Sequence, residues 1–196
     1  MNIQEAIALL VDGNDLETSA IENVMTEIMT GQAEEVTIGG FLVALKAKGE
    51  TVKEITGAAN VMRRLVKPVK VEKPNLIDIC GTGGSGSNKF NVSTGSAFVA
   101  AASGAWVAKH GNRSASSNSG SADVLEMAGA NIMLTPDQVA RCIESVGVGF
   151  MFALNHHSAM KHAIGPRKKL KLRTIFNLLG PLTNPARVTR QLLGVY

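Results

Sequence analysis

The stretch Cys80–Thr94, CGTGGSGSNKFNVST, carries the densest chemistry in the chain. An apolar run, Leu76-Ile77-Asp78-Ile79-Cys80, breaks into Gly81, Gly83, Gly84 and Gly86, and hydroxyl and amide side chains follow. A strand that passes through such a loop into a helix aims main-chain N–H groups and the positive end of a helix dipole at one point. That geometry holds an anion, most often a phosphate. Glycine suits the loop because phosphate oxygens approach the main chain closely. It is not a P-loop, since Gly86-Ser87-Asn88 stands where Gly-Lys-Ser/Thr is required. Gly81, Gly83 and Gly86 satisfy GxGxxG, but a dinucleotide site also wants an acid about 20 residues further on to hold a ribose diol. Lys109 and Arg113 occupy that region instead, and their charge suits more phosphate.

The second loop, KHGNRSASSNSGSADVLE from Lys109 to Glu126, is richer still. Lys109 and Arg113 supply charge; Ser114, Ser116, Ser117, Asn118 and Ser119 supply short donors; Ser121 stands near the start of a helix. Two polyhydroxyl loops at the ends of adjacent strands could enclose a ligand with phosphate at both ends. The plainer readings are a flexible glycine turn and a solvated serine-rich linker. A basic pair placed directly after an apolar strand speaks against the linker.

The elements that must position these loops are legible in the spacing of apolar residues. Four short helices occupy the first 70 residues. Asn2 and Glu5 form a capping pair before Ile3, Ala6, Leu9 and Leu10, and Thr51 and Glu54 form another before a helix that runs through Leu65. Between them, Ile21 to Met29 closes at Gly31, and Thr37 to Lys48 stops at Gly49. Pro68 and Pro74 punctuate a connector. Strands follow at Leu76–Cys80, Ala105–Lys109, Asn131–Met133 and Val148–Phe152, alternating with helices at Thr94–Ala102, Ser121–Ala128 and Pro136–Val146, the last with Thr135 as cap. Gln191 to Tyr196 reads as one more strand. Such alternation predicts an α/β fold: a small N-terminal helical domain, then a larger domain with a mostly parallel sheet and ligands at the carboxyl ends of its strands.

At 196 residues and 45% apolar content the chain can bury a core in one or two domains. No apolar stretch reaches about 18 residues, and Met1-Asn2-Ile3-Gln4-Glu5 lacks the basic start of a signal peptide, so no membrane role is expected. Cys80 and Cys142 lie in apolar surroundings and read as buried thiols in a reducing cytoplasm. The net charge of +4 is unevenly spread: Ser145–Tyr196 holds 8 of the 20 Lys and Arg and none of the 16 Asp and Glu. That imbalance fits a nucleic-acid surface or the front part of a longer domain whose acids come later.

Three segments, GTGGSGSNKFNVST, KHGNRSASSNSGSADVLE and RTIFNLLGPLTNPAR, together resemble the anthranilate phosphoribosyltransferase family, whose relatives include pyrimidine nucleoside phosphorylases. The resemblance implies transfer of a 5-phosphoribosyl group from phosphoribosyl pyrophosphate to the amine of anthranilate, with Mg²⁺ as cofactor. For the donor it points to Gly81, Gly84, Ser85, Lys89, Asn91, Val92, Ser93, Thr94, Lys109, His110, Gly111, Asn112, Arg113, Ser114, Ala115, Ser116, Ser117 and Ser121. Ser93 corresponds to a magnesium ligand, and Lys109 and His110 are electrostatic and orienting candidates. For anthranilate it points to Gly81, Asn112, Arg167 and His157, with Gly180-Pro181 beside the aromatic ring. Arg167 suits a carboxylate because a guanidinium binds it bidentately; without the family it could equally be part of a solvated helix face. The resemblance further implies interleaved domains, with residues 1–72 helical, 73–165 binding the donor, 166–187 returning to the helical domain and 188–196 resuming the α/β domain. Substrates would lie between them, and a homodimer would form through the N-terminal helices.

Four residues depart from the family pattern: Ser85 for a usual Asp, Lys89 for a usual Thr, Asn118 for a larger residue and Ser158 for a usual Pro. The family's acidic magnesium pair lies beyond Tyr196, and the final strand ends without a cap, so the chain is expected to be a fragment or truncated product. Two other classes stand beside the enzyme: a relative that binds nucleic acid through the basic residues from Lys161 to Arg190, and a nucleoside phosphorylase. Asn112, Arg167 and the GPLTNP segment argue against both. His156, His157 and His162 raise a zinc site, but their spacing places no two on one helical face.

Overall fold

A computed structural model of the chain describes residues 1–83, 90–114 and 119–195. Its elements are α1 (Ile3–Val11), α2 (Thr18–Met29), α3 (Glu35–Lys48), α4 (Val52–Leu65), β1 (Ile77–Gly81), α5 (Val92–Ala102), β2 (Val107–Gly111), α6 (Ser121–Met127), α7 (Pro136–Val146), β3 (Val148–Phe152), α8 (Ala153–His156), α9 (Lys161–Leu170), α10 (Ile175–Leu182) and β4 (Arg190–Gly194). They form two compact units, Met1–Val66 with Ser158–Leu182, and Lys67–His157 with Thr183–Tyr196. No helix among the described residues is long and apolar enough to cross a membrane.

The first unit is a helical bundle, as expected. The Asn2–Glu5 and Thr51–Glu54 capping boxes both form, each satisfying main-chain N–H groups that a helix start leaves without partners. Glu54 does more than cap. Its carboxylate is fully buried and accepts from Leu16 N at 2.9 Å, Thr51 N at 2.8 Å and Lys48 Nζ at 3.0 Å. Burial pushes this carboxyl's pKa up, but the Thr51 and Leu16 N–H groups and the Lys48 ammonium outweigh it and hold the value below the usual range. The apolar stripes of α1–α4, with Ile21, Met25, Ile28, Phe41 and Leu45 at their centre, share one core with Ile175, Phe176 and Leu179 of α10. Helices α2 and α4 approach closely because Gly57 has no side chain: a Cβ there would lie 2.4 Å from Ile21 Cγ2.

The second unit is an all-parallel four-stranded sheet in the order β3-β2-β1-β4. Its interior is carried by Val69, Ala108, Val139, Ile143 and Met151, with a smaller cluster of Ala122, Leu125, Ile132 and Phe152. Asn131–Met133 is not a strand. Asn131 Oδ1 accepts from Met133 N at 2.9 Å, so a local side-chain turn takes the N–H that a ladder would need. β2 begins and ends two residues later than its apolar pattern indicates, which adds His110 and Gly111 to the strand and moves Lys109 from its end to its middle. A strand paired on both sides is held by its neighbours, and β3 aligns with β2 from Val107 to Gly111.

The chain leaves or enters this unit at Lys67, His157 and Thr183. Those three places are bonded together within it. Lys67 N donates to His156 O at 2.9 Å, His156 Nδ1 lies 3.3 Å from Lys67 O, Val69 N donates to Pro185 O at 3.1 Å, and His157 is hydrogen-bonded to the Thr183 main chain. Both histidines are buried, and the ring of His157 packs 5.1 Å from that of His110.

Two expectations follow for stability. Gly57→Ala should cost about 1–3 kcal/mol through overpacking, read as a lower urea midpoint with an unchanged slope. Burial, then the neighbouring His110 and His156, depress the His157 pKa from 6.5 to about 3. The folded pKa therefore lies below the unfolded one, and stability present above about pH 6.5 is lost as pH falls toward 3. His157→Gln should make the decline in Tm between pH 6 and pH 4 shallower than in the wild type, and parallel declines would count against this reading.

Candidate functional site

The carboxyl ends of β1 and β2 are neighbours in the sheet, and the two polar loops leave from Gly81 and Gly111. Gly81 lies against β4, with a virtual Cβ 3.4 Å from Gly194 O, and Thr82 N donates to Gly194 O at 2.9 Å. Asn91 caps α5, its carbonyl accepting from Thr94 N and Gly95 N, so Val92, Ser93 and Thr94 form the first turn of that helix. Gly84, Ser85 and Lys89 lie outside the described residues, as do Ala115, Ser116, Ser117 and Asn118.

The two loops are joined by side chains. Asn91 Nδ2 donates to Ser119 Oγ at 2.9 Å, and Thr94 Oγ1 donates to Ser121 Oγ at 2.9 Å. The starts of α5 and α6 are thus held together, with main-chain N–H groups and positive dipole ends side by side. Asp123 anchors the second loop at both ends, accepting from Ser114 N at 3.0 Å and from Gly120 N at 2.7 Å. These two N–H groups, and then Arg113, hold the Asp123 carboxyl below the ordinary range. Gly120 is sterically required here, because a Cβ would lie 2.4 Å from Ser114 N.

The cations take two different positions. Arg113 is exposed and forms a fork with Glu126, at 2.7 and 3.0 Å, and a further contact with Asp123 at 3.1 Å. Its guanidinium is raised in pKa by Glu126 and Asp123 and is committed to α6. Lys109 is buried, 3% exposed, and its Nζ donates to Ile79 O at 2.6 Å. Burial pulls its pKa down, and Asp78 opposes that shift. Asp78 is fully buried on β1; its two oxygens accept from His110 N and from Gln191 Nε2, each at 3.1 Å. Cys80 beside it is a free thiol whose pKa burial pushes up to about 12.

Asn112 is exposed at the start of the second loop, where its Oδ1 accepts from Arg113 N. His157 is buried, and its Nε2 has no hydrogen-bond partner among the described residues. These residues belong to the sheet unit, whereas Arg167, on α9, belongs to the helical unit. Arg167 lies 5.3 Å from the centre of the Phe176 ring, and desolvation lowers its pKa. His162 also lies in the helical unit, against Gly31, apart from the histidine pair at residues 156 and 157. Among the described residues no three His, Cys, Asp or Glu side chains cluster as a metal site. Ser93 offers Mg²⁺ a single hydroxyl, far short of the six oxygens that ion requires, so the described residues do not enclose it.

Three organising carboxylates escaped the sequence reading: Asp78, Asp123 and Glu126. Asp78 had a signal, an isolated acid inside an apolar strand. Asp123 had another, an acid three residues after a glycine at a helix start.

Comparison with known proteins agrees with this architecture. Residues 4–66 match the glycosyl transferase family, helical bundle domain, and residues 73–196 match the glycosyl transferase family, a/b domain. The anthranilate phosphoribosyltransferase of Teredinibacter turnerae is 65% identical over all 196 residues, which span 58% of that protein. The anthranilate phosphoribosyltransferase structure from Thermus thermophilus superposes with a TM-score of 0.90 at 46% identity, covering 97% of this chain and 58% of its own. That from Saccharomyces cerevisiae in complex with PRPP and Mg has a TM-score of 0.90 at 29% identity, covering 99% and 58%. The chain thus spans a little under three fifths of the length of the relatives it matches. With a helical bundle, a parallel sheet carrying two joined loops, and both family domains matched in order, this chain belongs to the glycosyl transferase family.

Proposed function

We propose that this chain forms the donor-binding part of an anthranilate phosphoribosyltransferase, which transfers the 5-phosphoribosyl group of phosphoribosyl pyrophosphate to the amine of anthranilate. The observation that supports this most is the pair of hydrogen bonds, Asn91–Ser119 and Thr94–Ser121, that join the two strand-end loops above a buried Lys109. Main-chain N–H groups at the start of α5 and the Lys109 ammonium suit a pyrophosphate leaving group. In the reaction a C–N bond forms at the anomeric carbon as the C–O bond to pyrophosphate breaks, and the amine releases a proton. Such a displacement relies on positioning and charge stabilisation more than on covalent help. Mg²⁺, when bound, neutralises pyrophosphate, and Ser93 is the residue here assigned to it.

Anthranilate is assigned to Gly81, Asn112, His157 and Arg167, with Arg167 receiving the carboxylate. Arg167 supports this assignment because it is half-buried and, among the described residues, its guanidinium meets the Phe176 face and no carboxylate. The nucleic-acid reading is weakened at Lys169, whose ammonium pairs with Glu35 at 2.5 Å. The domain boundaries proposed for the whole enzyme remain near residues 72, 165 and 187. Its siting is proposed as cytoplasmic, in keeping with two free cysteines. A homodimer through the helical unit is proposed on the outer face of α3. There Val36, Gly40, Val43 and Ala47 form an exposed stripe, with Val36 75% and Val43 41% exposed.

Calorimetric titration with phosphoribosyl pyrophosphate and Mg²⁺ should show binding, and loss of anthranilate fluorescence reads turnover. Heatless titration together with unchanged fluorescence would overturn the assignment. Where turnover is measurable, Arg167→Ala should raise KM for anthranilate roughly tenfold or more while moving that for the donor little, as expected for a lost charge-assisted pair. Equal rises for both substrates would remove Arg167 from the anthranilate site. Light scattering should give twice the chain mass, reduced to one chain mass by Val43→Lys; a monomeric wild type would exclude the dimer.

A further inference from the structure

We propose that Asp78 is a positioning residue for the donor site: its buried carboxylate is the counter-charge that holds the Lys109 ammonium in place beneath the two loops. The inference rests on the reading of those loops as the phosphoribosyl pyrophosphate site.

The geometry makes Asp78 an unusual strand residue. An ionised carboxylate is almost never fully buried without partners. Here both oxygens are used, Oδ1 accepting from His110 N on β2 and Oδ2 from Gln191 Nε2 on β4. Two N–H donors, one to each oxygen, fit a carboxylate in its ionised, acceptor-only form. Asp78 therefore fastens the central strands at the level of Lys109 and leaves a negative charge in the sheet.

Lys109 is the complementary case. It is 3% exposed, and among the described residues its Nζ has one partner, the Ile79 carbonyl. An ammonium has three donors, so two remain for a ligand. One carbonyl does not balance a buried positive charge. The Lys109 ammonium bonds the carbonyl of Ile79, next to Asp78, while the Asp78 carboxylate bonds the N–H of His110, next to Lys109, so the two side chains reach across the same pair of strands. Asp78 and Cys80 are the titratable groups on that side of β1 that bear on the ammonium. The Cys80 thiol is pushed up to about 12 and stays neutral, so among these described groups Asp78 supplies the negative charge. Asp78 and Lys109 form no direct ion pair among the described residues, which leaves the Lys109 donors open while the field between them still acts across a poorly screened interior.

The test uses Asp78→Asn, which keeps shape and the acceptor oxygen but removes the charge. The Lys109 side-chain signal, assigned by its loss in Lys109→Met, is followed by NMR from pH 6 to pH 11. The variant midpoint should fall by roughly one unit or more relative to wild type; an unchanged midpoint would overturn the proposal whatever the ligand. Calorimetry with phosphoribosyl pyrophosphate then reads the consequence. Affinity of Asp78→Asn should decline up to about fivefold more steeply than that of wild type across the pH range spanned by the two NMR midpoints, in line with a one-unit shift. A uniform loss at every pH would show a structural role only and refute the proposal. If Asp78→Asn fails to fold, Lys109→Met and the Lys109→Met/Asp78→Ala pair replace it. Asp78→Ala is then made in both wild type and Lys109→Met; it should cost less Tm once the cation is gone, and an equal cost in the two backgrounds would refute the proposal. Unchanged donor binding by Lys109→Met would sink the donor-site reading alone, with the NMR midpoint still deciding the role of Asp78.

Discussion

Parallel pairing of β1 with β2 is the constraint from which the site follows. Because the strands run the same way, their loops leave at the same edge, from Gly81 and Gly111. A parallel connection also needs a crossover, and here the crossover is α5, whose N-terminus opens toward that edge. An antiparallel arrangement of the same segments would put the glycine-rich and serine-rich loops at opposite ends. The hydrogen bonds Asn91–Ser119 and Thr94–Ser121 could then not form.

Charge in this region is arranged in two layers. Near the surface, Arg113 is neutralised by Glu126 and Asp123 and serves to brace the second loop against α6. Beneath it, Lys109 keeps unspent donors, and Asp78 is tied to strands on either side. Two cations that stand four residues apart in the chain therefore have different work to do. One is exposed and bound by salt-sensitive pairs, the other is buried and weakly screened.

The helical unit repeats the lesson with a different group. Glu54 begins as a local cap of α4, then gathers Leu16 and Lys48 from distant parts of the chain. Lys48 in turn reaches Asp15 at 2.6 Å. A buried carboxylate at a helix start is tolerable only with such partners, and these join the loop before α2 to the end of α3.

Sequence by itself determined what depends on near neighbours. The caps at Asn2, Thr51 and Thr135, the termini of α7 and β3, the alternation that makes a parallel sheet, and the glycine- and serine-rich loops all follow from residues within one turn or one strand of each other. Where a local pattern was weak, it failed: Asn131–Met133 read as a strand, yet the Asn131 side chain captures the main chain first. Only the tertiary structure decided the extent of β2, which took in His110 and buried both it and Lys109, and the partners of Asp78, Asp123 and Arg113. Those outcomes depend on residues far apart in the chain, such as Gln191 against Asp78. A side chain's spacing along the chain carries no record of the distant group that will neutralise it, because burial and charge pairing arise only once the strands are assembled.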